Sequence, residues 1–418
     1  MKEKILHVDG DAFFAACEMA RFPMLWNKPL VVGHSIASAM SYEAKKLGVH
    51  RAMPIFEVKK TFPHMAVIGT HFELYHMYGD KLSSVLSRYT DRIERYSVDE
   101  CFAILTESEM NKYGTWENFL LTIKNDVQST LGITFSFGLA DTKVLAKVAS
   151  KYEKPNGLTY ISESNREKVL KKVPIENIWG VGRATAKNLQ KMGVKNAYQF
   201  VKLSESYVDT YFHKPLAELW HELCGRRIMN LSDSLEIDLA KSFQSMSTNK
   251  PATDNKIFIA SELSNNVEIV CARMRESDLV TKNISIVLKQ GEYNLSQIEV
   301  TMPNYTNSPS DILNYLESSF DKLFIGGTKY RQTGFVAANL KPRAHIQNDL
   351  FNVQNNILEN SRGYMSIVDV IHNKFGNSSI GLLSSLNAVN RMNDKTLVDE
   401  GKDPYIWNLP LPYLGEIY

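Results

Sequence analysis

The sequence predicts an α+β fold spread over several domains, and three observations carry that prediction. At roughly 100–200 residues per domain, 418 residues suggest about two to four domains. Two separate regions, residues 3–160 and 241–345, each mix strand-length runs with amphipathic helical patterns, as expected for a sheet covered by helices. Between them, residues 163–230 read as short helices only. Composition sets further bounds. Hydrophobic residues make up 44% and charged residues 22%, which is ordinary for globular chains and excludes a disordered one. No apolar run reaches the roughly 18 residues of a membrane span. The start, MKEKILHVDGD, is charged too early to be a secretory leader. Cys17, Cys101, Cys224 and Cys271 are at least 47 residues apart, so no zinc spacing exists and a reduced, cytoplasmic protein is expected.

Along the chain, EKILHVD (3–9) reads as a strand ending at Asp9, and AFFAACEMA as a helix packed behind it. LVVGH (30–34) is a second strand-length run, and SYEAKKLGV (41–49) a helix ending near Gly48. RIERYSVDECFAIL (92–105) reads as two strands around a turn. In residues 116–132, Phe119, Leu120, Ile123, Val127 and Leu131 fall on one helical face. ITFSFGLA (133–140) alternates like a strand, and DTKVLAKVASK (141–151) is expected to be helical. These strands and helices together suggest a split βαβ sheet. KPNG (154–157) is a turn. KSFQSMST, KNISIVLKQG, SQIEVTM and RQTGFVAANL supply strands after residue 241, with helices near 257–276 and 310–324. Residues 352–418 form a tail with helical patterning in SIVDVIHNKFG.

The sharpest chemical features are acidic. HVDGDAFFAACE (7–18) carries Asp9 and Asp11 at a strand end, and SVDE (97–100) carries adjacent Asp99 and Glu100. Taken singly, either motif has a bland explanation in a surface turn. Brought together, strand-borne carboxylates suit a pair of Mg²⁺ ions about 4 Å apart, since Mg²⁺ prefers hard oxygen ligands and such pairs assist in-line displacement at phosphorus.

Six motifs, in order, then give a resemblance. HVDGDAFFAACE, SYEAKKLGVHRAMP (41–54), YSVDECF (96–102), FGLADTKVLAKVASKYEKPNGL (137–158), WGVGRATAKNLQKMGV (179–194) and RQTGF (331–335) cover residues 4–350. Together they resemble the Y-family, translesion-type DNA polymerases of the UmuC/DinB group, and most of all the UmuC-like members of Gram-positive bacteria and their mobile elements. The resemblance implies a multidomain right hand. Its palm (1–20 and 77–165) would have a split βαβ-like sheet, with small fingers at 21–76. A helical thumb with a helix-hairpin-helix would span 166–235, and an α+β little finger 241–345. It implies DNA-directed DNA synthesis from dNTPs on primer–template DNA during damage bypass, with two Mg²⁺ ions per active site. Asp9, Asp99 and Glu100 would be the catalytic, metal-binding carboxylates, with the carbonyl of Gly10 a further ligand and Asp11 structural. Phe13, Phe14, Tyr42, Lys45 and Lys154 would bind the nucleotide, with Phe14 the steric gate against a ribose 2′-hydroxyl. Lys45 stands where an Arg is common in the family and supplies a point charge rather than a bidentate fork. Ala39 stands where some relatives carry a hydroxyl.

Residues 141–202 hold 13 Lys+Arg and 5 acidic residues, a net of +8 against +2 for the whole chain. Such a stretch suits duplex DNA, with a steep salt dependence. Within it, Gly180, Val181, Gly182 and Lys187 fit a helix-hairpin-helix, in which glycines let the backbone approach a phosphate without reading bases. Lys241, Ser242, Arg331 and Thr333 are candidate backbone contacts of the little finger. QNDLF (347–351) matches the QxxLF pattern of sliding-clamp ligands through Gln347, Leu350 and Phe351. The alternative is a linker packing Leu350 and Phe351 on its own domain. The tail, with 5 basic and 7 acidic residues, is a candidate contact for accessory mutasome proteins. Two other functions fit part of the pattern. A catalytically weak, clamp-tethered regulatory subunit would keep the fold, and another palm-type enzyme such as a nucleotide cyclase would keep the acids but need neither hairpin nor clamp peptide.

Overall fold

The computed structural model describes residues 3–231, 240–291, 294–346, 353–375 and 379–390. They fall into two compact units, 3–231 and 240–390. In the first, β1 (Glu3–Gly10) leads to α1 (Phe13–Arg21), β2 (Leu30–Val32), β3 (Ala39–Met40), α2 (Tyr42–Lys46), α3 (Ile55–Thr61), β4 (Ala66–Ile68) and α4 (Phe72–Leu86). Then come β5 (Ile93–Arg95), β6 (Glu100–Thr106), α5 (Glu107–Met110), α6 (Trp116–Leu131), β7 (Phe135–Ala140), α7 (Lys143–Tyr152) and β8 (Leu158–Tyr160). Helices α8 (Glu163–Lys172), α9 (Arg183–Lys191), α10 (Ala197–Val201), α11 (Glu205–Tyr211) and α12 (Lys214–Leu223) complete it.

The central sheet runs β5-β6-β1-β7-β8, and a small separate sheet runs β3-β2-β4. Strand alternation divides β1 between two cores. Leu6 and Val8 join Phe119, Leu120, Ile123, Val127 and Leu131 of α6, the five residues expected on its apolar face. Ile5 faces the other way, into a core built from α7 to α12. β7 is the strand expected, and all six of its residues are buried, because helices cover both faces of the sheet. One reading needs correction. The basic stretch is not one outward surface. Lys143 and Lys147, one turn apart on α7, are buried and turned onto acidic partners.

The second unit comprises β9 (Ser242–Thr253), α13 (Lys256–Glu276), β10 (Leu279–Lys289), β11 (Leu295–Thr306), α14 (Pro309–Leu323), β12 (Tyr330–Ala338), β13 (Lys341–Pro342) and α15 (Val353–Phe375). Its main sheet runs β11-β10-β12-β9 with antiparallel neighbours, and residues of α13 and α14 share one core with it. Part of the tail belongs to this unit. Asp369 of α15 accepts two bonds from Arg275, at 2.7 and 2.8 Å, and the buried Ser261 hydroxyl accepts the Ala388 amide at 3.1 Å. Among the described residues, no helix is long and apolar enough to cross a membrane.

Candidate active site

The antiparallel register of β1 and β6 sets Asp9 opposite Glu100. The Gly10 amide donates to the Asp99 carbonyl at 3.0 Å, extending the pairing by one step. Asp9 and Glu100, 91 positions apart in the chain, thus meet at one sheet end. Period-2 alternation puts Asp9 on the same face as His7 and Ile5, the face that α7 covers.

Each acid has a defined partner. Lys154 places its ammonium 2.7 Å from Asp9 Oδ1, 3.1 Å from the Gly10 carbonyl and 3.7 Å from Asp11 Oδ1. Lys147 donates to Glu100 Oε2 at 2.8 Å. The Ser97 hydroxyl donates to Asp99 Oδ1. Burial pushes the Asp9 carboxyl above its ordinary range, Lys154 opposes that shift, and Glu100 and Asp99 add to it. Asp9 and the Gly10 carbonyl already share one cation, the Lys154 ammonium, and with Asp99 and Glu100 at the same sheet end these hard oxygens are of the kind that suits a divalent metal.

Asp11 does a different job. It is buried, accepts the Ser136 hydroxyl at 2.8 Å and the Asn156 amide at 2.7 Å, and so fastens the turn carrying Lys154 to the sheet. The next residue, Ala12, adopts left-handed geometry (φ 48°, ψ 42°) as the N-cap of α1. That conformation costs about 1 kcal/mol for a non-glycine residue. It makes the sharp corner between the acids and the paired phenylalanines.

Phe13 and Phe14 part company at this corner. Phe13 is only 3% exposed and packs against Tyr75, Tyr78 and Phe135, so its side chain belongs to the core rather than to a nucleotide surface. Phe14 is half-buried and stacks on Tyr75, with centroids 4.1 Å apart and planes 10° from parallel. Tyr75 is held in turn by its hydroxyl, which donates to the buried Glu18 at 2.7 Å. On α2, Tyr42 is half-buried and Lys45 exposed. Burial and the nearby Asp11 and Asp9 push the Tyr42 hydroxyl up, which keeps it a donor beside those acids.

Ser41 caps α2 by accepting the Ala44 amide, and also accepts Leu30 N from β2, which ties the helix to the small sheet. A methyl group on Gly79 of α4 would sit 2.4 Å from the Val98 carbonyl, so glycine is what lets this helix pass against the turn bearing Asp99.

Trp179, Gly180, Val181 and Gly182 join the segment after α8 to α9. Gly180 has φ +89°, a conformation that favours glycine. Gly182 is the N-cap of α9 with no side-chain cap, leaving the first-turn amides of this nine-residue helix available to a phosphate. Lys187 is exposed one turn further on. In the second unit, Lys241, Ser242 and Arg331 are exposed. Thr333 is not a surface contact. It is fully buried, its hydroxyl lies 3.4 Å from Asn249 Nδ2, and its carbonyl accepts Asn266 Nδ2 at 3.1 Å, because its side of β12 faces α13. Gln347, Leu350 and Phe351 lie outside the described residues.

Sequence reasoning missed Lys147, Tyr75, Glu18 and Trp179. In the sequence Lys147 sits among surface-like lysines, and no motif marks α4, which carries Tyr75. Their apolar spacing in FELYHMYGDKLSSVL was the available signal for α4.

Carboxylates at the end of an α+β sheet, a lysine-bearing turn and a separate phosphate-suited hairpin are the parts that phosphoryl chemistry on nucleic acid calls for. Comparisons specify it further. Residues 8–151 match the impB/mucB/samB family, residues 240–350 that family's C-terminal domain, and residues 163–194 its helix-hairpin-helix motif. The DNA polymerase IV of Streptococcus pyogenes serotype M1 is 31% identical over 356 residues, covering 83% of this chain and 97% of that protein. That of Clostridioides difficile (strain 630) is 28% identical over 357 residues, covering 83% and 96%. A solved Y-family DNA polymerase chimera, Dbh-Dpo4(243-245)-Dbh, shares the fold with a TM-score of 0.66 at 21% identity, covering 81% of this chain and 99% of that one. The chain belongs to the impB/mucB/samB family of Y-family translesion DNA polymerases.

Proposed function

We propose that the chain extends a primer 3′-OH with dNTPs, opposite damaged as well as intact template, at a site holding two Mg²⁺ ions. The observation that carries this reading is the register pairing of Asp9 with Glu100, with Asp99 bound through its carbonyl to Gly10. Asp9, Asp99, Glu100 and the Gly10 carbonyl would hold the metal. Bound Mg²⁺ supplies electrostatic stabilisation of the transferring phosphoryl group and makes the primer hydroxyl more acidic.

The protein's own groups bind and orient. Tyr42, Lys45 and Lys154 receive the triphosphate. Phe14, held flat by Tyr75, closes the space beside C2′ of the sugar. No protein nucleophile is required, because positioning and preorganised charge supply the acceleration. The central sheet with α1, α6 and α7 serves as palm, the β3-β2-β4 sheet with α2 and α3 as fingers, α8–α12 as thumb, and the second unit as little finger. Gly180, Gly182 and Lys187, with Lys241, Ser242 and Arg331, take DNA backbone phosphates. Gln347, Leu350 and Phe351 engage a sliding clamp, which raises the effective concentration at the primer end. The reading places the enzyme in the cytoplasm, on the DNA it copies.

Primer extension by purified protein on intact and damaged templates tests the reading. Wild type extends both, and the Asp99→Ala, Glu100→Ala double variant extends neither. Extension that survives in the double variant, or none by wild type with or without clamp, rejects it. Unchanged clamp stimulation in Leu350→Ala, Phe351→Ala rejects the clamp contact alone. Among the described residues, nothing favours a catalytically weak regulatory subunit over this reading.

A further inference from the structure

The ammonium of Lys154 touches the oxygens that the reading above assigns to a metal: Asp9 Oδ1 and the Gly10 carbonyl, with Asp11 Oδ1 just beyond hydrogen-bond range. An ammonium offers three donors to the same hard oxygens that coordinate Mg²⁺. Resting on the nucleotidyl-transfer reading, we propose that Lys154 is a resident cation of the active site, which holds the place of a divalent metal until the metal and a triphosphate together displace it.

Two features make this lysine displaceable. Its side chain is 21% exposed, whereas that of Asp9 beneath it is 8% exposed, so the ammonium sits at the mouth of the site. The turn that carries it is held independently of its side chain: the Asn156 amide, two residues on, is fixed to Asp11, and Asp11 to Ser136. Lys154 can therefore turn from carboxylate to phosphate without moving the turn that carries it. Lys147 provides the contrast. Its side chain is 5% exposed and its ammonium lies over the rings of Tyr96 and Trp179 while it binds Glu100, so it stays in place.

The consequence is a coupling between metal and nucleotide. Two cations sharing the same oxygens repel one another, so a metal binding alone must expel the ammonium into water. A triphosphate offers that ammonium a new anionic partner. Metal binding without nucleotide is thereby disfavoured, and by linkage each ligand raises the affinity for the other. The acids are also neutralised between turnovers, which limits repulsion among Asp9, Asp99 and Glu100 at the sheet end.

The test is Mn²⁺ affinity, measured by electron paramagnetic resonance on the full chain with and without a non-reacting dNTP analogue. Lys154→Met should bind Mn²⁺ about tenfold more tightly than wild type without nucleotide, the scale of one lost charged hydrogen bond. The gain in Mn²⁺ affinity brought by the analogue should shrink by a similar factor. Lys151→Met makes the same charge change nearby without these contacts, and should stay within about twofold of wild type. An unchanged nucleotide-free affinity in Lys154→Met, or an equal rise in Lys151→Met, overturns the proposal. A second measurement uses wild type alone. Saturating Mn²⁺ should speed acylation of the Lys154 amine, read by mass spectrometry, and unchanged labelling counts against displacement. If Asp9→Asn and Glu100→Gln leave Mn²⁺ binding intact, the metal-site reading itself fails; if they weaken it while Lys154→Met does nothing, only the exchange fails.

Discussion

Lys147 donates to Glu100 across 2.8 Å while its ammonium lies 4.2 Å from the ring centroid of Tyr96 and 4.9 Å from that of Trp179. One oxygen of Glu100 is thus committed to a lysine held by two aromatic faces, and under the proposed reading the other would hold metal. Trp179 immediately precedes Gly180 of the hairpin, so the same lysine joins the carboxylate proposed as catalytic to the start of the segment proposed to bind phosphate. Lys147→Met removes a charged hydrogen bond of about 1.5–3 kcal/mol from the half-buried Glu100 carboxylate. Single-nucleotide insertion should show kcat lowered roughly 10- to 100-fold, with KM for dNTP changed only a few-fold. A variant that keeps wild-type kcat while folding normally would show that Glu100 does not depend on it.

Phe14 owes its orientation to Tyr75, and Tyr75 owes its own to Glu18. Phe14→Ala should raise the ratio of ribonucleotide to deoxynucleotide insertion by about tenfold or more, the scale on which a pocket discriminates by packing. Tyr75→Leu should raise the same ratio by less, since it loosens the ring without removing it. Competitive insertion of UTP and dTTP opposite adenine reads both. An unchanged ratio in Phe14→Ala removes its role as steric gate.

Gly79→Ala probes the approach of α4 to the catalytic turn. The new methyl group would meet the Val98 carbonyl at 2.4 Å, too close for any real contact. Either the helix or the turn must shift, at about 1–3 kcal/mol of stability. Because Asp99 follows Val98, extension should fall by about tenfold or more while the protein stays folded in thermal unfolding. Wild-type activity in a folded Gly79→Ala protein would show that the turn absorbs the strain without moving Asp99.

His7 gives the stability a pH dependence of known sign. Its Nδ1 lies 2.7 Å from the Ser150 hydroxyl, and the ring is fully buried on Phe102. Burial above all, with help from Lys147, Lys151, Lys154 and Lys143, holds its pKa well below the ordinary 6.5. Below pH 6.5 the unfolded chain therefore takes up a proton that the folded chain refuses, and stability falls as pH falls. The unfolding temperature should drop between pH 7 and pH 5, and His7→Gln should drop less over that interval. Equal slopes in the two proteins would contradict the assignment.

Much of the fold was legible because its signals are local. Alternation in β1, the 3.6-residue stripe of α6 and the turn chemistry of KPNG each depend on neighbours in the chain. α4 escaped because no motif drew attention to it. β7 is the expected strand, but period alone does not tell whether a strand is covered on one face or two. Thr333 was misplaced for a related reason: a hydroxyl beside an exposed Arg331 gives no sign, in sequence, of which face of the sheet it takes.

What the sequence by itself determined is the set of chemical parts and their family: the acidic pairs Asp9–Asp11 and Asp99–Glu100, the two phenylalanines, the lysine before the turn and the glycine hairpin. Only the tertiary structure decided how they are used. Strand register chose Asp9 and Glu100 as neighbours and turned Asp11 inward to fasten a turn. One corner sent Phe13 to the core and left Phe14 at the surface of the site. Helix packing drew Lys147 out of a basic stretch and set it on Glu100. Residue type and spacing follow from chain chemistry, whereas burial and pairing arise only when distant strands and helices close on one another. At this site the charge of each lysine is cancelled or exposed by that closure alone.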